Sequence, residues 1–342
     1  MQQAVNFKSY ISAFEKELER VVLNDISAAV YCKKYLSHLL QHKNYYLAIY
    51  ADVFDKLLAH SSKRKEDITL VDYGAGNGLL GIFAKFCGFK KILIIDIDNK
   101  FIQAAGQLAL QLDIKPDAYI TGDVEALRSY CSNEKPDAIT GTDVIEHIYD
   151  LDDFFKALWD INPAIVSVFT TASNPVNFFK VRNLKKIQRK DELEGGEPGD
   201  HALFGETSLE PFIKIREKII RKHAPQLTDT TVMALAEATR GLHEADIIKA
   251  LAQYHISKRI PVPVDDFNTC NPLNSSWTER ILSLEAYISV YRSAGFTCKI
   301  YAGFYNQYGS GMGSFVKKLL NAGIHILGKR ISPYIVIVGQ QG

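Results

Sequence analysis

Val71-Asp72-Tyr73-Gly74-Ala75-Gly76-Asn77-Gly78 decides how this chain is read. An apolar run from Ile68 leads into it, and Leu79, Leu80, Ile82 and Phe83 leave it at helical spacing. A buried strand therefore breaks into a glycine turn and then a helix. Glycine serves where backbone passes close to a ligand or needs positive φ. Amide donors at the start of the following helix favour the polar or anionic end of a nucleotide-like ligand. Asp96 closes the next apolar run, Lys91 to Ile95, about 20 residues downstream, the spacing at which a carboxylate reaches ribose hydroxyls.

Two registers compete. Gly76-Asn77-Gly78-Leu79-Leu80-Gly81 satisfies the dinucleotide G-x-G-x-x-G pattern, but it extends the strand through Ala75 and buries Asp72 inside a parallel strand that should be apolar. Starting at Gly74 leaves Asp72 near the carboxyl end of the strand, where open α/β sheets bind ligands. That register is preferred. It resembles the first motif of the class I S-adenosylmethionine-dependent methyltransferases, an acidic residue followed by G-x-G-x-G.

Composition fits a soluble globular protein: 342 residues, 47% hydrophobic, 23% charged, net charge +1. The neutral balance argues against a nucleic acid partner, since dedicated binders show a basic domain or stripe. Five scattered cysteines without C-x-x-C argue against a disulfide framework or a cysteine metal site, and for a reducing cytosol. The N-terminus lacks an apolar signal core, and no run approaches the ~20 apolar residues of a membrane span. The expected location is cytoplasmic.

The expected architecture is α/β, a doubly wound, mostly parallel seven-stranded sheet with a helical N-terminal cap and a helical insertion. Residues 1–67 read as helices, with Tyr45, Tyr46 and Tyr50 on the third; they form a cap or a lid whose tyrosines wall a substrate pocket. Residues 68–170 alternate strand and helix. The predicted strands are Ile68 to Tyr73, Lys91 to Asp96, Ala118 to Thr121, Ala138 to Gly141 and Ala164 to Thr170, with Asn99 capping a helix through Leu112. Residues 171–285 form the insertion, a candidate substrate lid, with a basic stretch from Lys180 to Lys190 and helices over Leu209 to Lys222 and Thr230 to Tyr254. Residues 286–342 complete the sheet with strands Cys298 to Tyr305 and Tyr334 to Val338. Between them an amphipathic basic helix, Phe315 to Leu327, either covers one face of the sheet or touches a membrane surface carrying a lipid acceptor.

Four strand-end signals agree with the methyltransferase resemblance, which covers residues 68–170 and 285–340. It implies that Gly74, Ala75, Gly76 and Gly78 pass under the methionine part of S-adenosyl-L-methionine and that Asp96 accepts from the ribose, with Asp98 as runner-up. It places Asp123 on the adenine amino group and the Val124 amide on a ring nitrogen. Asp72, Ile97 and Asp143 complete the surroundings of the cofactor. For each carboxylate the alternative is a helix cap or a solvated loop acid.

Asp143-Val144-Ile145-Glu146-His147-Ile148 resembles the strand-four motif of the ubiquinone-biosynthesis O-methyltransferases and of the small-RNA 2′-O-methyltransferases. The RNA enzymes imply a divalent metal held by Asp143, Glu146, His147 and a later histidine, here His201. Asp143 departs from the usual Glu. Two carboxylates and two imidazoles suit manganese, iron or zinc better than magnesium. Without a metal, Glu146 and His147 line the pocket, and His147 is the general base for an acceptor hydroxyl. His243 is a weaker candidate. The expected reaction is O-methylation of a small-molecule acceptor that is quinone-like, sugar-like or another secondary metabolite. The rivals are RNA 2′-O-methylation and a NAD(P)-dependent oxidoreductase using Gly76, Gly78 and Gly81. The oligomeric state is not encoded in any motif here.

Overall fold

Three helices precede the sheet: α1 (Lys8–Leu18), α2 (Val30–Gln41) and α3 (Lys43–His60). Alternation follows through β1 (Thr69–Tyr73), α4 (Leu79–Phe86), β2 (Lys91–Asp96), α5 (Asn99–Leu112), β3 (Ala118–Thr121), α6 (Val124–Tyr130), β4 (Ala138–Thr142), α7 (Leu151–Ile161) and β5 (Val166–Thr171). The computed structural model describes residues 6–132, 134–196, 210–263, 267–309 and 311–342. The chain divides into two units. One runs to Ile145 and takes in Asp150–Thr171 and Ser283–Gly342; the other is Glu146–Tyr149 with Ala172–Leu282.

In the first unit the strand order is β3-β2-β1-β4-β5-β7-β6, where β6 is Phe296–Ala302 and β7 is Ile335–Gln341. The first five strands pair in parallel, and β7 runs antiparallel to both neighbours. Every residue of β1 and β5 is buried, as expected of strands covered on both faces. The chain steps from β1 outward to β3 and returns on the other side at β4. Ligands of such sheets bind outside the carboxyl ends at this switch point, here between β1 and β4. The N-terminal helices join the same core. Phe14 of α1 and Phe54 of α3 pack on Phe83 of α4 at 5.0 and 5.8 Å between ring centres. Each such buried aromatic stabilises by roughly 1.5–3 kcal/mol relative to exposure.

The second unit holds α8 (Phe178–Leu193), α9 (Phe212–His223), α10 (Asp229–Ala238) and α11 (Glu244–Ser257). The helix expected over Thr230 to Tyr254 is two helices. Between them Gly241 adopts φ +79°, and a Cβ there would lie 2.9 Å from the Trp277 ring. Ile215, Ile219, Val232, Leu235, Ile247 and Leu251 form the unit's core. Arg216, fully buried, donates to both oxygens of Glu192 and through Nε to the Ala236 carbonyl at 2.7 Å. In the basic stretch Leu184 and Gln188 are buried while Arg182, Lys185, Lys186, Arg189 and Lys190 are exposed, a solvated face on one anchored edge.

Back in the first unit, α12 (Leu284–Ser293) buries Tyr287 and Tyr291, and α13 (Met312–Leu327) buries nothing. Sheet cover by this last helix, one of its two expected roles, is therefore corrected. No helix among the described residues is long and apolar enough to cross a membrane.

Candidate active site

The strand ends at Tyr73, and Gly74, Gly76 and Gly78 all take positive φ, so the turn follows the Gly74 register. A Cβ at Gly74 would sit 2.3 Å from Val144 Cγ2, which joins the turn after β1 to the segment after β4. A Cβ at Gly76 would sit 3.0 Å from the Tyr35 ring. Asn77, fully buried, donates to the Cys32 carbonyl at 3.1 Å and fastens α2 to the turn. In the motif Asn77 is a spacer, and its role rests on a contact 45 residues away that no spacing encodes.

Two strand-end carboxylates brace this turn. Asp72 Oδ2 accepts from the Gly81 amide at 2.8 Å, which turns the side chain under the start of α4 instead of outward at the strand end. Burial pushes its pKa up to about 7, against the pull of that amide. Asp96 Oδ2 accepts from the Gly76 amide at 2.8 Å and Oδ1 from the Asp98 amide at 2.9 Å. Burial raises Asp96 to about 6. A carboxylate oxygen has two lone pairs, so these bonds orient Asp96 and still allow it to accept from ribose hydroxyls. Asp98, not Asn99, caps α5, accepting from Lys100 N at 2.9 Å, and its other oxygen accepts from the Tyr31 hydroxyl. Ile97, between the two acids, is 58% exposed.

Asp123 caps α6 through Oδ1, which accepts from the amides of Glu125 and Ala126. Val124 opens that helix. Asp143 stands just past β4 with φ +51°, a left-handed backbone uncommon outside glycine and tolerated best by Asn and Asp. Its amide donates to the Thr170 carbonyl at 3.0 Å. Tyr45 and Tyr46 lie 5.9 Å apart, Tyr46 and Tyr50 6.5 Å apart, and the Tyr45 hydroxyl donates to the Phe304 carbonyl at 3.0 Å. Burial first, then the Asp143 carboxylate, pushes Tyr46 up to about 12. Burial likewise leads, with Asp143 contributing, in holding Tyr35, Tyr45 and Tyr50 above the ordinary phenol range. These phenols stay neutral.

The second unit carries Glu146 and His147 in a short helical turn, Ile145–His147. Glu146 is fully buried. His147 Nδ1 lies 2.7 Å from the Trp277 carbonyl, an acceptor, so Nδ1 is the protonated nitrogen of the neutral ring and Nε2 the basic one. Glu279 Oε1 is 3.9 Å from Nε2, and Glu279 Oε2 accepts from the Ser173 hydroxyl at 3.1 Å. Sequence reading missed Glu279, more than a hundred residues from its partner and in no motif. His243 caps α11 and stacks on Tyr149 at 4.4 Å, a structural role. Among the described residues no three His, Cys, Asp or Glu side chains converge as a metal would require. Asp143, Glu146 and His147 thus do not make a metal site by themselves, and His201 lies outside the described residues.

Residues 40–204 match the family model described as a methyltransferase domain. That span runs from the end of α2 through the glycine turn and all five parallel strands. No curated protein sequence matches the chain. Similar solved structures include an S-adenosylmethionine-dependent methyltransferase from Archaeoglobus fulgidus, at 10% identity over 90% of this chain and 99% of that one, TM-score 0.40. Another is from Mesorhizobium loti, at 11% identity over 84% and 96%, TM-score 0.39. Residues 40–204 thus carry a methyltransferase domain, and within it lie the glycine turn, where a Cβ at Gly74 would clash with Val144, and the acids at successive strand ends.

Proposed function

We propose that the methyl acceptor is a hydroxyl on a small molecule and that His147 is the base that takes its proton. The observation that carries this is the fixed tautomer of His147: Nδ1 is committed to the Trp277 carbonyl, which directs basicity to Nε2. S-adenosylmethionine supplies a methyl group on a cationic sulfonium. The acceptor oxygen attacks the methyl carbon in line, the carbon–sulfur bond breaks and S-adenosylhomocysteine leaves, so holding the two reactants in line is the larger part of catalysis. The hydroxyl proton passes to Nε2, and Glu279, 3.9 Å away, stabilises the imidazolium that forms. Asp96 and the glycine turn hold the ribose and methionine parts, Ile97 covers the adenine, and Asp123 reaches its amino group. Tyr35, Tyr45, Tyr46 and Tyr50 support an aromatic or polyhydroxylated acceptor, to which they offer ring faces.

The test is release of S-adenosylhomocysteine with panels of catechol-like, sugar-like and amine acceptors and with small RNA, in excess chelator. Turnover on a hydroxyl acceptor, lowered about 100-fold or more in His147→Ala, is expected. Methylation of RNA or of an amine alone would overturn the acceptor class, and activity that depends on a divalent ion would overturn the metal-free base.

A further inference from the structure

Helix α13 is attached the wrong way round for a soluble protein. At 100° per residue its apolar side chains sweep an arc of roughly 200°. The polar remainder is Ser314, Lys317, Lys318, Asn321 and His325. Two of these polar residues, Ser314 and Asn321, hold the helix to the protein, beside the half-buried Leu320 and Ile324. Asn321 Oδ1 accepts from Tyr305 N at 2.7 Å, its Nδ2 donates to the Tyr305 carbonyl at 3.1 Å, and the Ser314 hydroxyl donates to the Gln307 carbonyl at 2.7 Å. Most of the apolar arc is left in water: Met312 is 79% exposed, Ile326 is 86% exposed, and Phe315, Val316, Leu319 and Leu327 are all about half exposed or more, while Leu320 and Ile324 at one edge are half-buried. Scattered apolar residues on a surface need no explanation, but a contiguous helix face of this size marks an interaction site.

Charge says what covers it. After Glu285 the chain has six basic residues, Arg292, Lys299, Lys317, Lys318, Lys329 and Arg330, and no acidic one. The rest of the protein is net acidic, since the whole chain balances 40 basic against 39 acidic residues. Lys317 and Lys318 fall at the two edges of the apolar arc, where long stems lie along an apolar layer and the ammonium groups reach its polar boundary. A second copy packed on this face would set lysines against lysines. A protein groove would enclose a narrower stripe than this arc. At 16 residues the helix is about 24 Å long and too short and polar on one side to span a bilayer.

We propose that α13 lies in the interface of an anionic membrane, with its apolar arc in the acyl boundary and Lys317, Lys318 and Arg330 against acidic headgroups. The attachment leads inward. Asn321 holds Tyr305, the neighbouring Phe304 carbonyl accepts from Tyr45, and Tyr45 belongs to the tyrosine wall near Asp143. Docking through α13 thus brings that wall to the membrane surface, the place from which an amphiphilic acceptor would come.

The test is flotation of the full chain with vesicles of phosphatidylcholine alone and of phosphatidylcholine mixed with phosphatidylglycerol. Binding about tenfold or more tighter to the mixed vesicles is expected, since basic residues near an anionic surface are attracted to it. Leu319→Glu and Ile326→Glu should abolish it, and the double change Lys317→Glu with Lys318→Glu should remove the preference for anionic lipid. Folding is checked by S-adenosylhomocysteine binding, which these variants should keep. Phe315→Trp should show a blue-shifted emission when mixed vesicles are added, a readout that does not depend on a disruptive variant. Failure of the wild type to float, flotation unaffected by Leu319→Glu, or a lipid-free dimer that Leu319→Glu dissociates would each overturn the proposal.

Discussion

Helices α4 and α13 both begin after a glycine of positive φ, Gly78 and Gly311, and both carry strong apolar faces, yet they behave in opposite ways. Six of the eight residues of α4 are buried; among the described residues of α13 none is. The difference lies in what meets the apolar face. The cap helices and the sheet close over α4, while α13 spends its polar face on the loop 305–307 and turns its apolar face outward. Amphipathic period identifies a helix and its two faces. It does not say which face the protein keeps.

The sharpest test of this contrast removes the same side chain from each helix. Phe83→Ala should destabilise by about 3–5 kcal/mol, the usual loss for a buried aromatic, whereas Phe315→Ala should stay within about 0.5 kcal/mol of wild type in urea unfolding. Equal losses would mean that α13 is packed. The second test concerns the amide end of α4, where Asp72 is buried with its pKa at about 7. A carboxyl raised in this way contributes stability that is full below about pH 4 and is lost as pH rises through 7. Asparagine resembles the protonated form. Asp72→Asn should therefore gain on wild type by on the order of 2–3 kcal/mol between pH 5 and pH 8 without cofactor. A pH-independent difference would place the carboxylate in solvent. The smallest effect is expected at the edge of the turn, where the Tyr31 hydroxyl donates to Asp98. Tyr31→Phe should cost about 0.5–1.5 kcal/mol and speed amide exchange in α2, whose residues hold the turn through Cys32 and Tyr35. Unchanged exchange would show that α2 is held by its apolar contacts alone.

Local signals carried most of the fold. The strand ends at Tyr73, Asp96 and Thr121 and the glycine register were legible because each is set by residues within a few positions. The break at Gly241 was not, because it depends on Trp277, which arrives from a distant loop. At the site, residue types were legible and directions were not. Asp72, Asp96 and Asp123 read as ligand groups, yet Asp72 and Asp123 accept from amides of the helix that follows each, and Asp96 from the Asp98 amide and from Gly76 of the neighbouring turn. Glu279 and Asn77 act through long-range contacts that no spacing rule encodes.

Titration calorimetry with S-adenosylhomocysteine, and separately with NAD, tests the cofactor assignment most directly. One-to-one saturable binding of S-adenosylhomocysteine is predicted, weakened in Asp96→Ala by about 1.5–3 kcal/mol and unchanged in Leu319→Glu, with no heat from NAD. Binding of NAD without S-adenosylhomocysteine, or full affinity in Asp96→Ala, would contradict it.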